Sequence, residues 1–288
     1  MEYLANAGML IGIYIILAAS YNLIIGYGGL NTIAHPIFFA LGAYTAALLG
    51  IGTTLPSVVC VLAGIGVAVV ASVALAVTTL RIEGDYLLIA SLGFQLGLLQ
   101  LVNNFEFTGG PSGLSNIPVT ITGPGRGWLY LLICAVLVVV VVWLIWRAMA
   151  GPFGRAVRAM RDDELACAAL GRSLITMKIV IFAFGCGAAG LAGGLYAYYF
   201  QYISPEQFNV AQSATILTMV VLGGIGTTWG PLIGAFVLVA LPQAITFMQL
   251  PSSLVGPLQG IIFTVLVILF LFVRPHGLVG RREAGVAH

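Results

Sequence analysis

An all-α, polytopic transmembrane helix bundle is the fold this chain predicts, and three observations predict it. First, 60% of its 288 residues are hydrophobic and 7% are charged, and the mean hydropathy is +1.10. A soluble domain carries about 25% charged residues, so hydrocarbon is the solvent for most of this surface. Second, apolar runs close to the roughly 20 residues needed to cross a bilayer recur from end to end. Third, charge is excluded from those runs. Of the 20 charged residues (11 Lys and Arg, 9 Asp and Glu), 9 fall between Arg147 and Lys178.

The expected spans are residues 4–25, 33–49, 55–80, 86–102, 128–146, 179–200, 210–222, 231–247 and 254–273, and none contains Asp, Glu, Lys or Arg. Backbone groups in lipid must be paired within the segment, which makes these helices rather than open strands. The count is about 8–10 spans, because 210–222 is short enough to be re-entrant. The first run is expected to be a retained span, since no basic n-region or small-residue cleavage site flanks it. Trp128, Tyr130, Trp143 and Trp146 bracket one span as interfacial anchors do. Lys and Arg in short loops set orientation. They send the Arg147–Lys178 segment, the Arg81–Asp85 loop and the tail with Arg274, Arg281 and Arg282 to the cytoplasm. The stretches 103–127 and 201–209 then face outside, and nine spans put the N-terminus outside.

Two places break the helical pattern alike. One is Gly26-Tyr-Gly-Gly-Leu-Asn-Thr-Ile-Ala-His-Pro36 and the other is Gly223-Gly-Ile-Gly-Thr-Thr-Trp-Gly-Pro231. Each runs from Gly-Gly through a polar patch to a Pro that suits the first turn of a helix. Broken helices at matching places in two halves point to a transporter's central pathway, so Asn31, Thr32, His35, Thr227, Thr228 and Trp229 are candidate pathway residues. Helix N-termini after the breaks offer N–H groups to a carboxylate. The alternative is that these polar groups only cap tight turns. Small residues four apart, Gly190/Gly194 and Gly226/Gly230/Gly234, predict close helix packing.

The charged segment predicts one helix over 155–170, closed by Gly171, within a cytoplasmic stretch 152–172 of a single transmembrane domain 1–288. Its residues are good helix formers, and Gly suits the C-cap. Arg155, Arg158, Arg161, Asp162, Asp163 and Glu164 supply its charge, and Val157, Met160, Leu165 and Ala168 a more apolar face. A helix lying on anionic lipid is one reading. The acidic triplet would be repelled there, and mixed charge with an apolar face suits a protein groove better.

Several functions are disfavoured. Cys60, Cys134, Cys167 and Cys186 sit singly, with no pairing or metal-ligand spacing. No Gly-x-x-x-x-Gly-Lys-Ser/Thr occurs and no His-Glu-x-x-His, so neither ATP hydrolysis nor zinc catalysis is expected, and no cofactor, metal or nucleic-acid partner. The histidines His35, His276 and His288 are scattered. An ion-coupled secondary transporter of small polar solutes is the alternative. Proton coupling usually places ionisable groups inside the bundle, and only His35 is available. Sodium coupling through carbonyls at the breaks stays open.

The run Gly154-Arg-Ala-Val-Arg-Ala-Met-Arg-Asp-Asp-Glu-Leu-Ala166 with Leu170-Gly171 resembles the coupling segment of LivM-type permeases, which belong to ATP-binding-cassette importers of branched-chain amino acids. Further blocks agree in order: Gly42-Ala-Tyr44, Glu83-Gly-Asp-Tyr86, Thr108-Gly-Gly-Pro-Ser-Gly-Leu114, Ile203-Ser-Pro-Glu206, Val221 through Pro231, and Arg274-Pro-His-Gly-Leu278. Where importers in general carry Glu-Ala-Ala followed by Gly, this chain has Glu164-Leu-Ala leading to Gly171. The resemblance implies a permease subunit of the bacterial cytoplasmic (inner) membrane, not itself an enzyme. It also implies separate ATPase subunits, a second permease subunit in a heterodimer, a soluble substrate-binding protein and surrounding membrane lipid. Arg155–Glu164 would then couple to the ATPase, and Glu206 and the loop 108–115 could touch the donor protein.

Overall fold

The computed structural model describes residues 2–79, 85–119, 123, 125–247, 264, 265 and 278. The expected span 254–273, the Arg81–Asp85 loop and the basic tail therefore lie, wholly or nearly so, outside the described residues. Among these residues the chain is a helix bundle with six helices long and apolar enough to cross a membrane. These are α1 (Glu2–Asn22, extended through a π-turn Leu23–Tyr27), α2 (His35–Gly52), α3 (Ser57–Thr79), α4 (Asp85–Asn104), α5 (Arg126–Ala150) and α8 (Leu174–Phe200). Between α5 and α8 lie the short α6 (Pro152–Asp162) and α7 (Glu164–Ala169). Two shorter apolar helices follow, α9 (Val210–Gly223) and α10 (Gly230–Phe247). The chain is thus a multi-pass membrane protein.

The bundle is organised around α8, whose glycines let α2 and α3 approach backbone to backbone. A Cβ on Gly42 of α2 would stand 2.2 Å from the Gly190 carbonyl oxygen, and one on Gly193 would stand 2.1 Å from that of Phe39. In lipid there is little hydrophobic drive between helices, so such close packing is a main source of adhesion. The α1 helix packs on the other flank, against α5, α9 and α10. The α4 helix stands at the edge and is tied inward by buried polar groups. Ser91 Oγ accepts from the Ile33 N–H at 3.0 Å, and Ser213 Oγ donates to Gln95 Oε1 at 3.1 Å.

Long-range contacts sort the loops into two ends. At one end Tyr3 Oη donates to the Gln243 carbonyl (2.6 Å). Arg126 donates there to the Tyr199 carbonyl, and Leu114 and Ile203 exchange backbone hydrogen bonds. At the other end lie the Arg-rich α6, the two glycine breaks, and Leu278, whose N–H donates to the Leu222 carbonyl at 3.0 Å.

Three local expectations are corrected. The segment 155–170 is not one helix. Asp163 is extended (φ −154°, ψ 107°), and its carboxylate accepts the Ala166 N–H at 2.9 Å as the N-cap of a new helix. Gly171 does close the segment, at φ +75°. Within the loop 201–209, the turn Pro205–Phe208 folds back onto the bundle. Ser204 and Gln207 form a capping box, which satisfies the turn locally and lets Phe208 bury against Phe39 and Tyr44. Tyr130 is no interfacial anchor but is buried edge-on against Tyr199; Trp128, Trp143 and Trp146 are exposed. The second span begins at His35, two residues later than expected, with Pro36 in its first turn.

The α9 helix is a half-span. Its 14 residues rise about 21 Å at 1.5 Å per residue, against roughly 30 Å of hydrocarbon. It starts beside the middle of α1, where Gln212 Nε2 donates to Tyr14 Oη at 2.6 Å, and ends at the glycine break beside Asn22.

Candidate functional site

The two glycine breaks meet. After α1 the helix widens into the π-turn, in which the Gly28 N–H reaches the Leu23 carbonyl at 3.1 Å. Such widened turns recur at functional sites. Gly29 then takes φ +67° and Gly226, in the second break, φ +74°; both are conformations that glycine adopts without strain. The side chain of Asn22, buried in the last turn of α1, clips the breaks together. Its Nδ2 donates to the Thr227 carbonyl at 2.8 Å, and its Oδ1 accepts the Gly226 N–H at 2.8 Å. A Cβ on Gly26 would stand 2.6 Å from the Gly226 nitrogen, so only glycine permits this approach. Tyr27 Oη lies 3.0 Å from Thr228 Oγ1 and makes a third bridge.

The six candidate pathway residues fall into different environments. Thr227 caps: its hydroxyl donates to the Gly224 carbonyl and accepts the Gly230 N–H. Thr228 faces Tyr27, as above. Trp229 is 63% exposed and lines a cleft of about 310 Å³ with Val138, Val142, Trp143, Trp146 and Leu232, an apolar wall of α5 and α10. Asn31 is exposed, whereas Thr32 is buried, with its carbonyl accepting from Tyr21 Oη. His35 is buried too, its Nε2 lying 3.0 Å from Ser20 Oγ and its ring 4.8 Å from that of Tyr21. Ser20 itself donates to the Leu17 carbonyl (3.0 Å), which makes His35 Nε2 the donor and Nδ1 the unprotonated nitrogen, an assignment that follows from the hydrogen-bond pattern. The breaks therefore come together through Asn22, Tyr27, Thr227 and Thr228, while Asn31, Trp229, Thr32 and His35 point elsewhere.

The charged segment lies directly beneath this junction. In α6, Val157 and Met160 are buried and Gly154 presses on the Met149 backbone, while Arg155, Arg158 and Asp162 are exposed. The interruption at Asp163 resets the register, so Leu165 (82% exposed) and Leu170 (81%) turn outward instead of continuing the Val157–Met160 face. Asp163 is occupied as a cap, and Glu164 is paired with Lys178 at 2.8 Å. Arg161 reaches inward, and its Nη1 donates to the Gly26 carbonyl at 2.7 Å. The exposed remainder is a mixed surface of Arg155, Arg158, Asp162, Leu165 and Leu170. Glu206 is exposed on the buried turn at the opposite side of the bundle.

Sequence reasoning passed over Asn22, Tyr27 and Gln95. Each was visible as a polar side chain within or beside an apolar run, which in lipid calls for a partner, but the partners lie 113 to 205 residues away. The four cysteines are buried free thiols. Among the described residues no group of three or more His, Cys, Asp and Glu could hold a metal ion.

Residues 3–271 match the family model described as branched-chain amino acid transport system / permease component. The chain is 36% identical over 300 residues to the high-affinity branched-chain amino acid transport system permease protein LivM of Escherichia coli (strain K12), covering 92% of this chain and 67% of that one. It is 30% identical to the probable branched-chain amino acid transport permease protein LivM of Methanocaldococcus jannaschii, over 69% of this chain and 61% of the relative. It is 28% identical to the autoinducer 2 import system permease protein LsrC of Yersinia pestis, over 61% and 50%. No solved structure is significantly similar. Matched over residues 3–271, the chain, a bundle of apolar helices, belongs to the family of branched-chain amino acid transport system permease components.

Proposed function

We propose that this chain is the permease subunit of an ATP-binding-cassette importer that moves branched-chain or related amino acids inward across a bacterial cytoplasmic membrane. Its partners would be ATPase subunits, a second and different permease subunit, and a soluble substrate-binding protein. The observation that carries the reading is the surface of α6 and α7. Exposed Arg155, Arg158 and Asp162 lie beside two leucines left exposed among the described residues, at the end of the bundle where the glycine breaks meet. Charge with protruding leucines fits a protein groove, and that groove would belong to an ATPase. The paired breaks would be the mobile part of the pathway. The half-helix α9 and the turn before it resemble the discontinuous helices that build transport sites. Of the six candidates, Thr228 at the junction and the exposed Asn31 and Trp229 would be the ones to meet a solute, with Thr32, His35 and Thr227 packed behind them.

The test is reconstitution into liposomes with the ATPase subunits, second permease and binding protein encoded beside it. Leucine, isoleucine or valine carried by that binding protein should stimulate ATP hydrolysis and accumulate inside. Uptake by the chain alone under a proton or sodium gradient, with no nucleotide, would instead establish an ion-coupled carrier.

A further inference from the structure

We propose that Arg161 is a positioning residue that joins α6 mechanically to both glycine breaks, so that a displacement of the docking segment reaches the two halves of the bundle at one point. The proposal rests on the reading of α6 and α7 as the ATPase-docking surface, but assigns Arg161 to the opposite task from its neighbours. Arg155, Arg158, Arg161 and Asp162 are all exposed, but the tip of Arg161 alone among the three arginines reaches back to the bundle and donates to the Gly26 carbonyl at 2.7 Å.

Three features make this contact more than an incidental one. The acceptor is a carbonyl near the C-terminal end of α1, where the last carbonyls lack helical partners and the helix carries partial negative charge. A guanidinium is matched to both. The space for Arg161 is made by glycines from both breaks. A Cβ on Gly29 would stand 2.8 Å from Arg161 Cγ, and one on Gly226 would stand 3.1 Å from Nη1. The breaks are themselves pinned by Asn22, which holds Gly226 and Thr227 against the end of α1. Arg161 therefore sits against a joint already closed by another side chain, and α6 cannot shift without loading that joint. Along the same side α6 is anchored by buried Val157, one turn before Arg161, and by Met160, which makes it a lever rather than a floating loop.

The experiment uses the assembled importer in nanodiscs, with an environment-sensitive fluorophore on Arg172→Cys, beyond α7, or on Ile225→Cys, in the second break. Both positions are exposed and the four native cysteines are buried. In the native background, trapping with ATP and vanadate should change both signals. In Arg161→Met the Arg172→Cys signal should still change, the Ile225→Cys signal should not, and ATP hydrolysis should continue. Uptake per ATP should fall roughly tenfold or more, the scale set by losing a hydrogen bond from a charged donor. Arg161→Lys, which keeps a charge and a donor, should recover part of the coupling, which a merely structural role would not require. Arg161→Gln is judged by the same criteria should Arg161→Met not assemble. A normal Ile225→Cys response with normal coupling in the neutral variant overturns the proposal alone. An Arg172→Cys signal that stays silent in the native background overturns the docking reading and this proposal with it.

Discussion

At the scale of single residues, the junction depends on side chains that leave no backbone group orphaned. Asn22 satisfies one N–H and one carbonyl in the second break with its two amide atoms. Asn22→Ala leaves both of these part-buried groups without that partner, at about 1 kcal/mol for each. We therefore expect a clear fall in the thermal midpoint of the detergent-solubilised chain and loss of uptake, measured side by side. An unchanged midpoint would mean the breaks are held by something other than this clip. His35 teaches a related lesson. As the only histidine within the expected spans it invites a role in proton transfer, yet it lies against Ser20 and the Tyr21 ring, in the first turn of α2. Asn22 and His35 were both visible in the sequence as polar residues in apolar surroundings. Which of them joins distant parts of the chain was not, because nothing local to either encodes its partner.

At the scale of elements, glycine spacing controls how closely helices approach. Gly42 and Gly193 let α2 and α8 touch through their backbones, whereas a Cβ on Gly66 of α3 would meet nothing within 4 Å among the described residues. Gly42→Ala forces a Cβ to within 2.2 Å of the Gly190 carbonyl oxygen, an overpacking that costs about 1–3 kcal/mol or more. Gly66→Ala should leave stability unchanged or slightly raised, since Ala is the better helix former. Thermal unfolding of the two variants, compared in one detergent, checks the contrast. The α6 and α7 helices make a second case. Composition foretold helix over this whole segment, but the Asp163 carboxylate competes for the backbone and caps α7, splitting it. That split is what turns Leu165 and Leu170 outward. Leu165→Glu should leave the chain's own folding intact and abolish co-purification of the ATPase subunits; retained association would remove α7 from the docking surface.

At the scale of the whole molecule, the contacts divide the loops into two ends, and the arginines imply which end is cytoplasmic. A cysteine in place of Tyr202 should react with a membrane-impermeant maleimide from outside intact cells, and one in place of Leu165 only after the membrane is opened. The reverse pattern would invert the topology and end the coupling argument. What the sequence determined by itself was the class of fold and the positions of the six helices long enough to span the membrane. Burying charge in hydrocarbon is so unfavourable that the gaps between charged residues mark the helices. It also marked both glycine breaks and the charged segment, since Gly-Gly, Pro and charge act on the backbone where they stand. Only the tertiary structure decided that the breaks touch each other, that Arg161 and not Arg158 reaches the Gly26 carbonyl, and that Phe208 is carried into the bundle. These facts depend on how helices pack across some 135 to 205 residues of chain, and packing in lipid is governed by shape and by a few paired polar groups rather than by any periodic pattern.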